Sequence, residues 1–176
     1  MPEISPIYTE LRDVLIATTA DSGSMEPTDE LPHVYGVVVD IGVALAFTVA
    51  VFSDGRVIAC DGNGGGFNDL GQAAESMIFG QLILRTAESN LDLFAPVEET
   101  PLPAFGRVRF SVLTYEGTRG ADLEGPPLLK GQSPLSHAFT GVMGIMDRAR
   151  QMVAQPDKNE GEIAGAGEGD GAKPVN

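Results

Sequence analysis

The residues best placed for chemistry form a glycine run just past a strand-turn-strand pattern. Phe47–Phe52 and Arg56–Cys60 flank Ser53-Asp54-Gly55, and Asp61-Gly62-Asn63-Gly64-Gly65-Gly66-Phe67 follows. The Asp54-Gly55 pair between β-branched and aromatic segments predicts a hairpin. Leu70, Ala73, Ala74, Met77, Ile78, Leu82, Leu84 and Leu91 then give a helical pattern, capped by Asn68 or Asp69. Successive amides before a helix can cradle an anion, because N–H groups and the helix N-terminus both favour negative charge. The amides of Gly64, Gly65, Gly66 and Phe67 are therefore candidate ligand donors. No Gly-Lys-Ser/Thr ends the loop, and the G-x-G-x-x-G pattern begun at Gly62 fails at Phe67, so neither a P-loop nor a dinucleotide fingerprint is present. Asp61 and Asp69 would also repel phosphate. The competing reading is a tight strand-to-helix connection that needs positive φ.

Arg107 and Arg109 form the second candidate. They share a strand face, where two guanidinium groups can grip a carboxylate or phosphate, with Arg56 joining if its strand lies alongside. Against that stands pairing with some of the 25 acidic residues. Cys60, the lone cysteine, sits at a strand end and reads as a small buried hydrophobe; it excludes an internal disulfide. His33 and His137 have no cysteine or second histidine at ligand spacing, so no metal or cofactor is expected. A hydrolase built on either histidine is an alternative, without a G-x-S-x-G elbow to support it. No catalytic residue is assigned.

Behind these residues stands an alternation of helices and strands. Ser5-Pro6 signals a helix start, with Ser5 as the cap and Ile7, Leu11, Val14 and Leu15 as the apolar face. Asp21–Pro32 reads as a loop. Tyr35–Asp40 and Ala44–Phe52 lack polar alternation, as strands covered on both faces do. Val34–Phe52 approaches the length of a membrane span, but Asp40 inside it, dense valine and the break at Gly42 argue for strands. Val108, Phe110 and Val112 alternate with Arg107, Arg109 and Ser111, placing the first set toward a core. Glu116-Gly117 is a turn before a short strand over Thr118–Leu123. Ser133-Pro134 repeats the helix-start signal, and Leu135, Phe139, Val142, Met143, Met146 and Ala149 carry the stripe, with the methionines as core. Gly141 and Gly144 weaken that helix unless they allow close approach to the sheet. The expected class is α+β: an antiparallel sheet of about five strands with N-terminal, central and C-terminal helices packed on it, over residues 1–155. Residues 156–176, rich in Gly, Ala, Glu and Asp, read as a disordered acidic tail.

Tyr35-Gly36-Val37-Val38-Val39-Asp40, Ser53-Asp54-Gly55 with the glycine triplet, Pro101-Leu102-Pro103-Ala104-Phe105-Gly106-Arg107-Val108-Arg109-Phe110 with Leu113-Thr114 and Gly117, and Ser133-Pro134-Leu135-Ser136 together resemble a family of small bacterial proteins with no established activity. The resemblance implies no catalytic residue.

A net charge of −14 opposes binding to nucleic acid or an anionic membrane and invites a basic partner protein. Without a basic segment followed by an apolar run near the start, no signal peptide is expected, and with one cysteine a cytoplasmic setting is expected. The functional expectation is a non-catalytic protein-interaction or scaffold module with an acidic surface, including homo-oligomers. The first alternative is a sensor of an anionic small molecule, using the glycine loop and strand arginines.

Overall fold

The computed structural model describes residues 3–68 and 70–154. Its strands are β1 (Val34–Ile41), β2 (Phe47–Phe52), β3 (Val57–Asp61), β4 (Gly66–Phe67), β5 (Ala95–Pro96), β6 (Arg107–Thr114) and β7 (Gly117–Glu124). Its helices are α1 (Pro6–Ile16), α2 (Ala74–Ser89), α3 (Gly125–Leu129) and α4 (Ser136–Ala154). The strands form one open antiparallel sheet in the order β4-β3-β2-β1-β6-β7-β5. The class is α+β, as the pattern predicts. The sheet has seven strands rather than about five, because β4 and β5 span two residues each and leave no period-2 signal to read. The tail reading over 156–176 lies outside the described residues.

The sheet is covered on both faces. Val37, Val39, Val49, Val51, Val108, Phe110 and Val112 pack under α2 and α4. Val38, Ala50, Phe52, Cys60 and Leu113 meet Tyr8 and Leu15 of α1 on the other face. Every residue of β1 and β2 is buried in consequence, which is why their sequence is continuously apolar. Gly42 ends β1 where the chain from Ala104 crosses so closely that a Cβ would run into the Ala104 carbonyl. The Asp54-Gly55 hairpin forms as expected, with Gly55 at φ +91°.

Five expectations need correction. The α1 face is Tyr8, Arg12 and Leu15, while Ile7 and Val14 are solvent-exposed. Two polar-tipped residues win the buried face because partners on the sheet satisfy their polar ends. Ser5 stands at the cap position without a side-chain cap bond; its carbonyl accepts the Thr9 amide at 3.2 Å. The helix after the glycine run begins at Ala74, after a 3-10 turn at Leu70–Gln72, not at Asn68; Asp69 lies outside the described residues. Gly71 passes close over the β2–β3 turn, where a Cβ would stand 2.5 Å from the Gly55 carbonyl oxygen. The buried face of α2 is Ser76, Gly80, Ile83, Leu84 and Ala87, with Met77 and Ile78 outside. Small residues at helical spacing let α2 lie tightly on the sheet and on α4. Gly141 and Gly144 serve that helix pair rather than an approach of α4 to the sheet. A Cβ at Gly141 would come within 3.0 Å of Ile83 and of the Phe79 carbonyl, and one at Gly144 within 2.5 Å of the Phe79 ring.

Candidate functional site

The glycine run is the turn of a two-stranded hairpin. Cys60 pairs with Gly66, and Ala59 with Phe67. Asp61 organises the turn. Its carboxylate accepts the Asn63 amide at 2.9 Å and the Gly65 amide at 3.4 Å, and its carbonyl accepts the Gly64 amide at 2.9 Å. Gly64 takes φ +92°, which explains a glycine there. The amides of Gly64 and Gly65 therefore point inward at their own turn. The run does not end at a helix N-terminus, because β4 and the 3-10 turn intervene. The alignment of amides that an anion cradle needs is absent at these residues.

The arginines stand elsewhere. β4 and β6 are separated by β3, β2 and β1, so the glycine hairpin and the arginine strand are not brought together. Arg107 and Arg109 both turn to Asp122 of β7. Arg107 donates through Nε to its carboxylate and through NH2 to its carbonyl, and Arg109 NH2 donates to the carboxylate at 3.0 Å. Partial burial would raise the Asp122 pKa, but the two arginines outweigh it and hold the carboxyl below its usual range. Arg56 does not join them. It pairs with Asp54 at 2.7 Å and stacks over the Phe52 ring.

A polar row crosses the α1 face of the sheet at one register. Cys60, Thr48, Asp40, Arg109 and Asp122 stand opposite one another on β3, β2, β1, β6 and β7. α1 lies over the Thr48 and Asp40 part of this row. Arg12 grips Asp40 through Nε at 3.0 Å and NH2 at 2.7 Å, and Thr48 donates to the same carboxylate at 2.7 Å. Tyr8 bonds the Thr48 hydroxyl at 2.7 Å. Asp40 is fully buried and Arg12 nearly so. Burial alone would lower the Arg12 pKa, but its bond to Asp40 and the attraction between the charges raise it, so the guanidinium stays charged. Burial pushes the Cys60 thiol up to about 12, aided by the nearby Asp40 charge. That makes it an inert core group.

Arg12 also reaches the Thr100 carbonyl, while Arg109 NH1 holds the Pro101 carbonyl at 3.0 Å. Two arginines from different elements thus hang the 97–103 segment over the sheet. Beneath it lies a cleft of about 400 Å³ whose lining includes Glu99, Arg109, Ser111 and Asp122. Ser111 is fully buried with no partner for its hydroxyl. A second cavity of about 380 Å³ opens where α3 and α4 meet the ends of β1 and β6. Phe139, Met143, Met146, Val43 and Leu129 make it apolar, and Arg107 and Arg150 edge it. Met143 and Met146 are thus both core and cavity wall.

His33 is bound to Glu88, with Nδ1 2.7 Å from the carboxylate; the same group accepts the His33 and Val34 amides. It fastens the end of α2 to the start of β1. His137 is exposed on the first turn of α4. Among the described residues no three His, Cys, Asp or Glu side chains gather to hold a metal ion, and no helix is long and apolar enough to cross a membrane.

Sequence reasoning singled out Arg109 and did not single out Arg12, the buried hydroxyl of Ser111 or these two cavities. One signal was available: Asp40, a lone charge in an apolar strand, requires a buried cation, and Arg12 follows Tyr8 by four residues on one helix face. No family model matches the chain, nor does any curated protein or solved structure, so the family resemblance rests on its four sequence pieces alone.

Proposed function

We propose that this protein acts without catalysis, by binding a partner protein through the apolar cavity between α3, α4 and the β1–β6 ends. The observation that carries this reading is an apolar concavity whose wall includes the exposed side chains of Val43 and Leu129. Leu129 on its wall is 67% exposed, and Phe105, next to the wall residue Gly106, is 68% exposed. Contiguous exposed apolar surface rimmed by charge marks interaction sites. The rim also defines the partner. Arg107 and Arg150 edge the cavity, and Lys130 follows Leu129. In a chain of net charge −14 this rim holds two arginines, each also paired with a carboxylate, Arg107 with Asp122 and Arg150 with Asp147. It fits a segment with a bulky apolar anchor flanked by Asp or Glu, rather than the basic partner that net charge alone invites.

Selection of random displayed peptides on the purified protein tests the reading. Enriched peptides should carry an apolar anchor with acidic flanks and lose binding to Leu129→Glu and Val43→Glu. Both positions are exposed, so both variants should fold. Enrichment without that pattern, or unchanged binding to both variants, sinks the proposal. Concentration-dependent dimerisation abolished by Leu129→Glu would instead give the cavity to a second copy of the chain.

A further inference from the structure

We infer that the cleft under the 97–103 segment is a binding site for a small zwitterion of the α-amino-acid type. Three observations carry this. The first is the charge pattern. Arg109 lines the cleft together with Glu99 and Asp122. A simple anion would meet the Glu99 carboxylate beside the already paired Asp122, and a simple cation would meet the Arg109 guanidinium. A molecule bearing both charges a few bonds apart matches both. The second is unused hydrogen-bonding capacity. Arg109 spends NH1 on Pro101 and NH2 on Asp122, which leaves its other N–H donors for a carboxylate. Glu99 is exposed and forms no ion pair among the described residues, so it is free for an ammonium. The third is Ser111. Its hydroxyl is fully buried, unpartnered and at the cleft floor, beside Arg109 on the same strand face. A buried hydroxyl without a partner is costly. A ligand carboxylate bonded to Arg109 can accept its proton.

The cleft's size and roof fit such a ligand. A volume of about 400 Å³ lies at the small end for ligand sites. Gly120 on the floor lets Val97 lie close to the sheet, where a Cβ would stand 3.2 Å from both Val97 methyl carbons. The roof is held by Arg12 and Arg109, so the site is largely formed before a ligand arrives.

Calorimetric titration of the full chain with glycine, L-alanine and L-serine tests this, with propionate and ethylamine as single-charge controls. The expected result is saturable binding of at least one zwitterion, at least about tenfold tighter than either control. Glu99→Gln and Ser111→Ala should each weaken it about tenfold or more. Glu99 is exposed, so that variant keeps its fold whatever happens at the buried serine. Absence of saturation by all three zwitterions up to about 10 mM overturns the inference. Equal binding of propionate overturns it in favour of a plain anion site. Unchanged affinity in both variants overturns it by placing the ligand elsewhere.

Discussion

Replacing Arg12 with methionine should cost this protein about 3–5 kcal/mol. The figure follows from what stays behind. Asp40 has no solvent exposure, and two of its three side-chain hydrogen bonds come from Arg12. Methionine keeps most of the arginine stem, so packing of α1 on the sheet is largely preserved. The loss is concentrated in a buried carboxylate that keeps only the Thr48 hydroxyl, and the Thr100 carbonyl loses its donor as well. With an m-value near 2 kcal/mol/M, the urea midpoint should fall by roughly 1.5–2.5 M at neutral pH. Circular dichroism through the transition measures it. Arg12→Met combined with Asp40→Leu should cost less than Arg12→Met alone, because no charge is then stranded. A single-variant loss below about 1 kcal/mol, or a double variant worse than the sum of its parts, would refute the reasoning that a buried ion pair ties α1 to the sheet.

Gly42→Ala should destabilise by about 2 kcal/mol or more, since its Cβ would strike a backbone carbonyl that cannot yield, whereas Gly80→Ala, whose Cβ would meet a Val57 methyl at 3.3 Å, should stay within about 1 kcal/mol of the parent in thermal unfolding. With its pKa raised to about 12, the Cys60 thiol at about pH 8 is ionised on the order of one part in 10⁴, against roughly a quarter for a free thiol. A disulfide reagent should thus label it only on unfolding, and native labelling at the free-thiol rate would contradict its burial. The lowered pKa of Asp122 means that its stabilising contribution is complete above about 3.9 and is lost as pH falls through the lower folded value. The stability gap between the parent and Asp122→Asn should accordingly close on acidification, and a gap that widens in acid would show that the two arginines do not hold the carboxylate.

Much of the fold could be read from local pattern. Unbroken valine-rich runs in β1 and β2 imply burial on both faces, since no solvent face remains to hold polar residues. Val108, Phe110 and Val112 identify the core side of β6 through period-2 alternation, and the last-helix stripe ending in Met146 and Ala149 is buried where a 3.6 period puts it. These are short-range signals, and each depends only on which side of one element is dry. Partner choice is different. Whether the glycine amides face a ligand or Asp61, whether Arg109 is free or tied to Asp122, and whether α1 buries Ile7 or Arg12 are decided by groups that arrive from elsewhere in the chain. A polar side chain is cheap to bury only when a specific acceptor or donor stands within about 3 Å, and sequence spacing does not reveal that distance. The amino-acid order alone thus determined the class, most strands and the last helix. Only the tertiary structure decided the charge pairs, the hung 97–103 segment and the two cavities, because each needs residues far apart in sequence to meet across neighbouring strands.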